Sequence, residues 1–337
     1  MSEQDHFNRR DFLRTITLTG AGLYLVGCTP KPTQALPTPV SKKTTSIPDA
    51  ENLDATDVIT SAPEKPEYGN VYLSVVRGTN PTEMTERAVA AIGGIERFIS
   101  EGMNVIIKPN ICTDYYSFEY GAVTNPEVIA ALVSLSLGAG AKRVRVMDNP
   151  FGGTAQSAYR KTGIEEAVIL AGGEMEVMNS NKFRLNEIPN GLDIKEWNFY
   201  QDILDADVVI NVPIAKHHGT TGLTLGCKNL MGTIINRPQI HANIHQRIAD
   251  LTSRVRPALT VIDGIRTLMH NGPTGGNLND VKMSNTIIAS ADVVAADSYA
   301  ATLFDKVGAD IGYIQSAANM GLGTMDLNSI KVEEISI

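Results

Sequence analysis

The sequence predicts an α/β fold in which helices sandwich a mostly parallel sheet, and two observations predict it. First, the runs of Val and Ile at residues 105–107 and 208–210 contain no polar residue, which is typical of strands buried on both faces. Second, longer stretches with the helical spacing of apolar residues separate such runs. Strands that alternate with helices favour a parallel sheet, so we expect a single α/β domain.

The elements are expected to alternate from Val71 onward. Short β-rich runs predict strands, in chain order VYLSVV, NVIIKPN, RVRVMDN, EMEVMN, ADVVINVP, ALTVIDG and SNTIIAS. Helical periodicity predicts helices in TERAVAAIGGIERFI, NPEVIAALVSLSLGAGA, AQSAYRKTGIEEAVILAG, PQIHANIHQRIADLTSRV, DVVAADSYAATLFD and YIQSAANMG. Asn125 is expected to cap the second of these helices, because its side chain can accept from free backbone N–H groups. Residues 183–200 predict a strand pair at an edge of the sheet.

Residues 1–27 have the pattern of an export signal. Arg9-Arg10 precedes Phe12-Leu13 and the apolar run ITLTGAGLYLVGC, which is shorter than the roughly 20 apolar residues that a bilayer crossing needs. Leu25–Cys28 resembles a lipobox, in which Cys28 is acylated and becomes the mature N-terminus. The sequence therefore predicts recognition by the twin-arginine export machinery and a lipid-anchored protein of the cell envelope, on the periplasmic or outer surface. The alternatives are an uncleaved anchor and an ordinary cleavage site nearby.

Residues 28–68 predict a tether between the lipid and the folded domain. Seven of the sixteen prolines lie between residues 29 and 68, and a segment rich in Pro, Thr and Ser cannot bury a core. The α/β domain is then expected over residues 69–337. The formal net charge is -8, and no basic run is longer than Lys42-Lys43. Nucleic acid is therefore not an expected partner, because phosphate backbones require clustered Lys and Arg.

Polar residues follow several of the predicted strands. In an open α/β sheet, ligands bind outside the carboxyl ends of the strands, so these residues are expected to meet at one edge of the sheet. We assign His217, Asp263 and Lys228 to catalysis: Asp263 and His217 would transfer protons, and Lys228 would hold the anion. The residues expected to bind a phosphate or carboxylate are Lys108, Asn110, Asp148, Asn211, Lys216, Thr221 and Thr224. The alternative is that each Asn or Asp only starts a turn or caps a helix.

The stretch KHHGTTGLTLGCKNLMG, residues 216–232, carries the most reactive side chains. A helix that begins near Thr220 or Thr221 would place Thr221, Thr224 and Lys228 on one face, next to the anion-attracting N-terminus. Cys227 would lie with leucines on another face. The glycine spacing is one residue short of a Walker A loop, and no Ser or Thr follows the lysine. The alternative is an amphipathic helix with one exposed lysine.

A metal ion is a second candidate ligand. His241 and His245 are four residues apart, a spacing that places two ligands on one helical face, and Cys227 is the third candidate. The glutamate of the zincin motif is missing, and the alternative is ordinary pocket or surface histidines. Cys112 and Cys227 could form a disulfide in an oxidising compartment or remain two buried thiols.

Five segments together resemble the domain of unknown function 362 family. They are VIIKPNI, VINVPIAKHHGTTGLTLGCKNLMGTI, VIDGIRTLMHNGPTGG, ADVVAADSYAATLF and GYIQSAANMGLG, in that order. The resemblance runs from about Val71 to the C-terminus, but it implies no particular reaction, because the activity of this family is largely undefined. Some members carry ferredoxin-like cysteine clusters. This chain has no such array, so an iron–sulfur centre is not carried over.

The sequence therefore favours an exported, lipid-tethered enzyme that acts on an anionic small molecule. Two alternatives remain open. One is a metal-dependent or redox enzyme that uses His and Cys ligands, and the other is a non-catalytic solute-binding lipoprotein.

Overall fold

The computed structural model describes residues 72–337, so the predicted export signal, the tether and Cys28 lie outside the described residues. The strands are β1 (Leu73–Arg77), β2 (Asn104–Pro109), β3 (Arg143–Val146), β4 (Glu174–Met175), β5 (Phe183–Glu187), β6 (Glu196–Tyr200), β7 (Val208–Val212), β8 (Ile214–His218), β9 (Gly222–Thr224), β10 (Leu259–Leu268), β11 (Val281–Ser290) and β12 (Val332–Ser336). The α-helices are α1 (Pro81–Ala91), α2 (Pro126–Gly138), α3 (Ala155–Lys161), α4 (Ile164–Leu170), α5 (Gln201–Asp205), α6 (Gly226–Asn229), α7 (Ile244–Val255), α8 (Val293–Ala301) and α9 (Gly312–Asn319).

A ten-stranded mixed sheet forms the centre of the fold. Its main path runs β12-β1-β11-β10-β7-β2-β3-β4, and β8 joins β10 and β9 beside this path. All neighbours from β10 to β4 along the path are parallel, whereas β11 is antiparallel to both of its neighbours. The predicted α/β fold with a mostly parallel sheet is therefore confirmed. The predicted strand pair of residues 183–200 is the separate β5–β6 hairpin.

Helices cover both faces of the sheet, as continuous apolar strands require. Adjacent residues of β2 enter different cores, because successive side chains of a strand point to opposite faces. Val105 and Ile107 pack with residues of α1 to α4. Ile106 packs on the other face with residues of α7, α8 and α9. Burial on both sides explains why these strands lack a polar alternation.

The stretch of residues 216–232 differs from the helix predicted for it. β8 and β9 form an antiparallel hairpin in which Lys216 is paired with Thr224, and the helix begins only at Gly226. Gly222, the first residue of β9, has a φ of 76°, a conformation that glycine adopts at low cost and that an α-helix does not allow. The prediction that Thr221, Thr224 and Lys228 share a helical face is therefore wrong.

Several other elements differ from their predicted bounds. The single helix predicted over AQSAYRKTGIEEAVILAG is divided into α3 and α4 at Gly163, which has a left-handed φ of 78°. β10 continues to Leu268 rather than ending at Gly264. The helix predicted to contain His241 and His245 is a 3₁₀ helix over Arg237–Asn243, followed by α7. Strand β12 was not predicted.

Candidate functional site

A cavity of about 370 Å³ opens at the carboxyl ends of β2, β3 and β8. Its position follows from the topology, because β2 and β3 are parallel neighbours and therefore end at the same edge of the sheet. Its lining residues are Lys108, Asn110, Ile111, Cys112, Asp148, Asn149, Phe151, Lys216, His218, Thr224, Lys228, Asn229, Met231, Gly232, Arg237, Pro238, His241 and Pro273. We call this space the rim cavity.

A buried ion pair joins two of the strand ends in the rim cavity. Lys108 Nζ lies 2.8 Å from Asp148 Oδ1, and both side chains are almost fully buried. Burial lowers the pKa of Lys108, and Asp148 opposes this effect. Asp148 also accepts from the backbone N–H of Ile111 at 2.7 Å. A Cβ on Gly232 would lie 2.0 Å from Asp148 Oδ1, so only glycine allows the backbone to pass this pair.

Asn229 connects α6 to two strands through its amide group. Its Oδ1 accepts from Lys108 Nζ at 3.1 Å and from Asn110 Nδ2 at 2.9 Å. Its Nδ2 donates to Asn211 Oδ1 at 2.9 Å and to the carbonyl of Lys108 at 3.2 Å. These bonds fix the position of α6 at the edge of the sheet, and they therefore fix the backbone of its neighbour Lys228.

Lys216 is held by oxygen acceptors on several segments. Its Nζ donates to Asn110 Oδ1 at 3.0 Å, to the Ala122 carbonyl at 2.5 Å and to the Pro273 carbonyl at 2.9 Å. Its Nζ also lies 3.4 Å from Cys112 Sγ. The three oxygen acceptors match the three protons that a lysine ammonium group can donate.

Lys228 differs from the other two lysines, although it is also buried. Within residues 72–337, the hydrogen-bond partner of its Nζ is Met231 Sδ at 3.5 Å, a weak thioether acceptor. Burial, followed by the positive charges of Lys216 and Arg237, lowers the pKa of Lys228 to about 7. The ammonium group of Lys228 therefore lacks an oxygen acceptor among the described residues, and a bound anion would supply one.

Two further side chains of the rim cavity were not predicted as site residues. Arg237 donates to the Asn149 carbonyl at 2.6 Å, and burial lowers its pKa. His218 Nδ1 accepts from the N–H of Thr220 at 3.1 Å, so the ring proton of the neutral tautomer is on Nε2. Burial, followed by Lys228, lowers the pKa of His218 to about 3. His218 is therefore neutral at physiological pH.

The charge of the rim cavity is strongly positive. Four cationic side chains, Lys108, Lys216, Lys228 and Arg237, line it against the single carboxylate of Asp148. The buried hydroxyl oxygen of Thr224 has no hydrogen-bond partner among the described residues. A small anion would satisfy both deficits, because it accepts hydrogen bonds and offsets positive charge.

The structure brings six of the ten predicted catalytic and anion-binding residues to the rim cavity. They are Lys108, Asn110, Asp148, Lys216, Thr224 and Lys228. Asn211 supports the site indirectly through Asn229. Thr221 does not line the cavity, and its hydroxyl donates to the Leu223 carbonyl at 2.9 Å.

Asp263 and His217, the two residues predicted to transfer protons, do not line the rim cavity. β10 continues five residues beyond Asp263 to Leu268, so this carboxylate lies within a strand, where it accepts from the N–H groups of Asn125 and Ile265. Burial raises the pKa of Asp263 to about 6. His217 lies between Lys216 and His218 along β8, so its side chain points to the opposite face of the strand. Its Nδ1 accepts from the Gly272 N–H at 3.2 Å.

The three predicted metal ligands are not brought together. His241 lines the rim cavity, whereas His245 and Cys227 do not. The His245 ring packs against Gly312, and Cys227 is a core residue whose N–H donates to Asp297 Oδ2 at 2.9 Å. Residues 72–337 hold no group of three or more His, Cys, Asp or Glu side chains arranged to bind a metal. Cys112 and Cys227 are free, buried thiols rather than a disulfide.

Comparison with known proteins identifies the family. The model of the domain of unknown function DUF362 matches residues 105–302, which contain strands β3 to β11, all of β2 except Asn104, and every lining residue of the rim cavity. This chain belongs to the DUF362 family. The predicted family is thereby confirmed over residues 105–302.

Two known proteins are similar to this DUF362 chain, one in sequence and one in structure. A thylakoid-associated protein of Synechocystis sp. is 27% identical over 241 residues, which cover 68% of this chain and 72% of that protein. The lactate racemase apoprotein of Thermoanaerobacterium thermosaccharolyticum aligns with a TM-score of 0.44 and 13% identity, over 69% of this chain and 57% of that chain. Residues 72–337 contain no helix with the length and apolar character that a bilayer crossing requires.

Proposed function

We propose that this DUF362 protein is an enzyme that acts on an anionic small molecule, a phosphate or a carboxylate, bound in the rim cavity. One observation carries the proposal: three buried lysines and the half-buried Arg237 line the rim cavity with one carboxylate, and the Nζ of Lys228 has no oxygen acceptor among the described residues. Natural cavities rarely keep buried cations without partners, because an isolated buried charge is costly. An anionic ligand removes that cost.

The described side chains support distinct roles in this reaction. Arg237 and Lys228 bind the anionic group, and the Thr224 hydroxyl donates to it. Lys228 also replaces Asp263 and His217 as the proton-transfer group, because a pKa of about 7 suits general acid–base catalysis near neutral pH. His218 offers its Nε2–H as a neutral hydrogen-bond donor.

The affinity for an anion of constant charge is expected to fall as the pH rises through about 7. Lys228 loses its proton in this range, and the loss of one charge-assisted hydrogen bond costs about 1.5–3 kcal/mol, roughly a tenfold or greater loss of affinity. Isothermal titration calorimetry with sulfate and oxalate at pH 6 and pH 9 measures this change. The exposed-lysine variant Lys306→Met is the matched control and should keep the wild-type affinity and pH dependence.

Two results would contradict the proposed site. The first is no binding of either anion at pH 6, and the second is equal affinity at both pH values. Binding of natural metabolites without any turnover would support instead the non-catalytic solute-binding protein.

We infer that the protein is exported and held in the cell envelope by a lipid on Cys28. The support is the sequence of residues 1–28, with Arg9-Arg10 and the lipobox-like Leu25–Cys28. The Synechocystis relative is described as associated with a membrane, the thylakoid, which agrees with a location at a membrane surface.

Cys28→Ser is expected to move the protein from the membrane fraction to the soluble fraction, because the variant lacks the acylated sulfur. Immunoblots of fractionated cells measure the distribution. Changing Arg9 and Arg10 to lysine should instead leave the uncleaved precursor in the cytoplasm. A Cys28→Ser protein that is cleaved but still membrane-bound would argue against the lipid anchor.

A further inference from the structure

The three lysines of the rim cavity differ in the number of oxygen atoms that accept from them. Lys108 Nζ has three oxygen acceptors, including the Asp148 carboxylate, and Lys216 Nζ also has three. An ammonium group has three protons to donate, so in both lysines the number of oxygen acceptors equals the number of protons. Among the described residues, Lys228 Nζ donates a hydrogen bond only to the Met231 thioether and to no oxygen atom.

The surroundings of Lys228 favour its neutral amine. The side chain is buried, and the cationic groups of Lys216 and Arg237 face it, whereas Asp148 is already paired with Lys108. Burial and nearby positive charges both disfavour the protonated form of Lys228. A neutral amine has a free electron pair, and a lysine that is desolvated beside other cations is activated as a nucleophile toward carbonyl carbon.

We propose that Lys228 forms a Schiff base with an anionic carbonyl compound, a 2-oxo acid or an aldehyde phosphate, in the rim cavity. The inference rests on the proposed anion site and adds the class of substrate and the covalent step. Arg237 keeps its charge when Lys228 is neutral, since guanidinium does not deprotonate in proteins. Arg237 therefore binds the carboxylate or phosphate while the amine attacks the carbonyl.

The covalent step balances without any additional reagent. The Lys228 amine attacks the carbonyl carbon, and a new C–N bond forms as the carbonyl π bond opens to a hydroxyl. The two hydrogens of the amine then leave with that oxygen as one molecule of water, and a C=N bond remains. The Thr224 hydroxyl, which has no partner among the described residues, can relay one of these protons.

The walls of the rim cavity indicate the rest of the substrate. Ile111, Met231, Pro238 and Phe151 contribute apolar surface, and Phe151 is more than half exposed. A volume of about 370 Å³ admits a small molecule with an apolar or aromatic group. Phenylpyruvate combines such a group with a 2-oxo carboxylate, so it is expected to react better than pyruvate.

Reduction with sodium borohydride tests the Schiff base, because the hydride converts the imine into a stable secondary amine. The wild-type protein is incubated with phenylpyruvate, pyruvate or glyceraldehyde 3-phosphate and then reduced, and its intact mass and peptide map are measured. We expect one adduct per chain, located on Lys228. The carboxylate and phosphate arms distinguish the two anion classes.

Matched variants and one binding control separate the outcomes. Lys228→Met should give no adduct, whereas Lys306→Met should give the wild-type adduct. Oxalate has no reactive carbonyl, and its binding is measured on the same samples. Oxalate binding without an adduct on Lys228 would overturn the Schiff base and leave the anion site intact, and failure of both would overturn both. Adducts spread over surface lysines of the wild type would also overturn the proposal, whether or not the Lys228→Met variant folds.

Discussion

Replacing Lys108 by methionine is expected to lower the free energy of unfolding by about 3–5 kcal/mol, because it leaves the buried Asp148 carboxylate without its cation. The amide network also loses a donor, since Lys108 Nζ donates to Asn229 Oδ1. Methionine fills most of the space of the lysine stem, so the loss reports the charge rather than a cavity. Urea or guanidinium unfolding at pH 7 measures it.

Two further variants make this test specific. Lys306→Met removes an exposed lysine and should change the free energy of unfolding by less than about 0.5 kcal/mol. The double variant with Lys108→Met and Asp148→Asn leaves no buried charge at this position, so it should be more stable than Lys108→Met alone. The account of this ion pair is wrong if Lys108→Met costs no more than the surface control.

Replacing Lys228 by methionine is expected to have the opposite effect on stability and to abolish anion binding. The pKa of Lys228 in the folded protein, about 7, lies below the ordinary lysine value of 10.5, so the unfolded chain binds more protons between these two pH values. The contribution of Lys228 to the free energy of unfolding is therefore most unfavourable below pH 7 and becomes less so as the pH rises toward 10.5. Burial is the largest cause of this low pKa, the positive charges of Lys216 and Arg237 lower it in the same direction, and Cys112 opposes them.

The Lys228→Met protein should consequently equal or exceed the wild type in stability at pH 6, and its advantage should shrink toward pH 10. Thermal melting of both proteins across this range measures the difference. A saturating anion at about 100 times its Kd stabilises the wild type by about 2.7 kcal/mol, or roughly 5–10 °C for a domain of this size. The variant should lose this shift. A variant that melts several degrees lower at pH 6, together with a wild type that no anion stabilises, would mean that Lys228 has a structural role.

The sequence predicted the parts of the site that depend on strand ends. Lys108 and Asp148 follow buried apolar runs, and parallel strands end at the same edge, so their proximity could be inferred without coordinates. Asp263 also follows such a run, but β10 continues past it as the partner of β11. The length of a strand depends on the partner that it pairs with, which no local pattern reveals.

Other residues could not be predicted because their direction depends on the three-dimensional fold. Either His217 or His218 had to face the cavity, and alternation along β8 does not say which one until the register with β9 is known. Arg237 lies in a 3₁₀ helix that contributes to the lining of the cavity but is far along the chain from β2 and β3. The adjacent pair Lys228-Asn229 was visible, but Asn229 gave no sign of its role because its partners lie on distant strands.

For residues 216–232, the polar sequence pattern predicted a helix where the structure has a β-hairpin followed by a short helix. Thr224 and Lys228 do line one cavity, as predicted, yet they do so from a strand and from a short helix. The sequence GTTGLTL is compatible with both a helix start and a hairpin turn. Pairing of β8 with β10 decides between them, because it extends the main sheet.

A crystal structure of the wild-type protein grown with oxalate at pH 6 tests the central claim most directly. The account predicts one oxalate in the rim cavity, with its oxygens within hydrogen-bond distance of Lys228 Nζ and the Arg237 guanidinium. An empty cavity in which Lys228 pairs with a protein carboxylate, or oxalate bound only elsewhere on the surface, would contradict it.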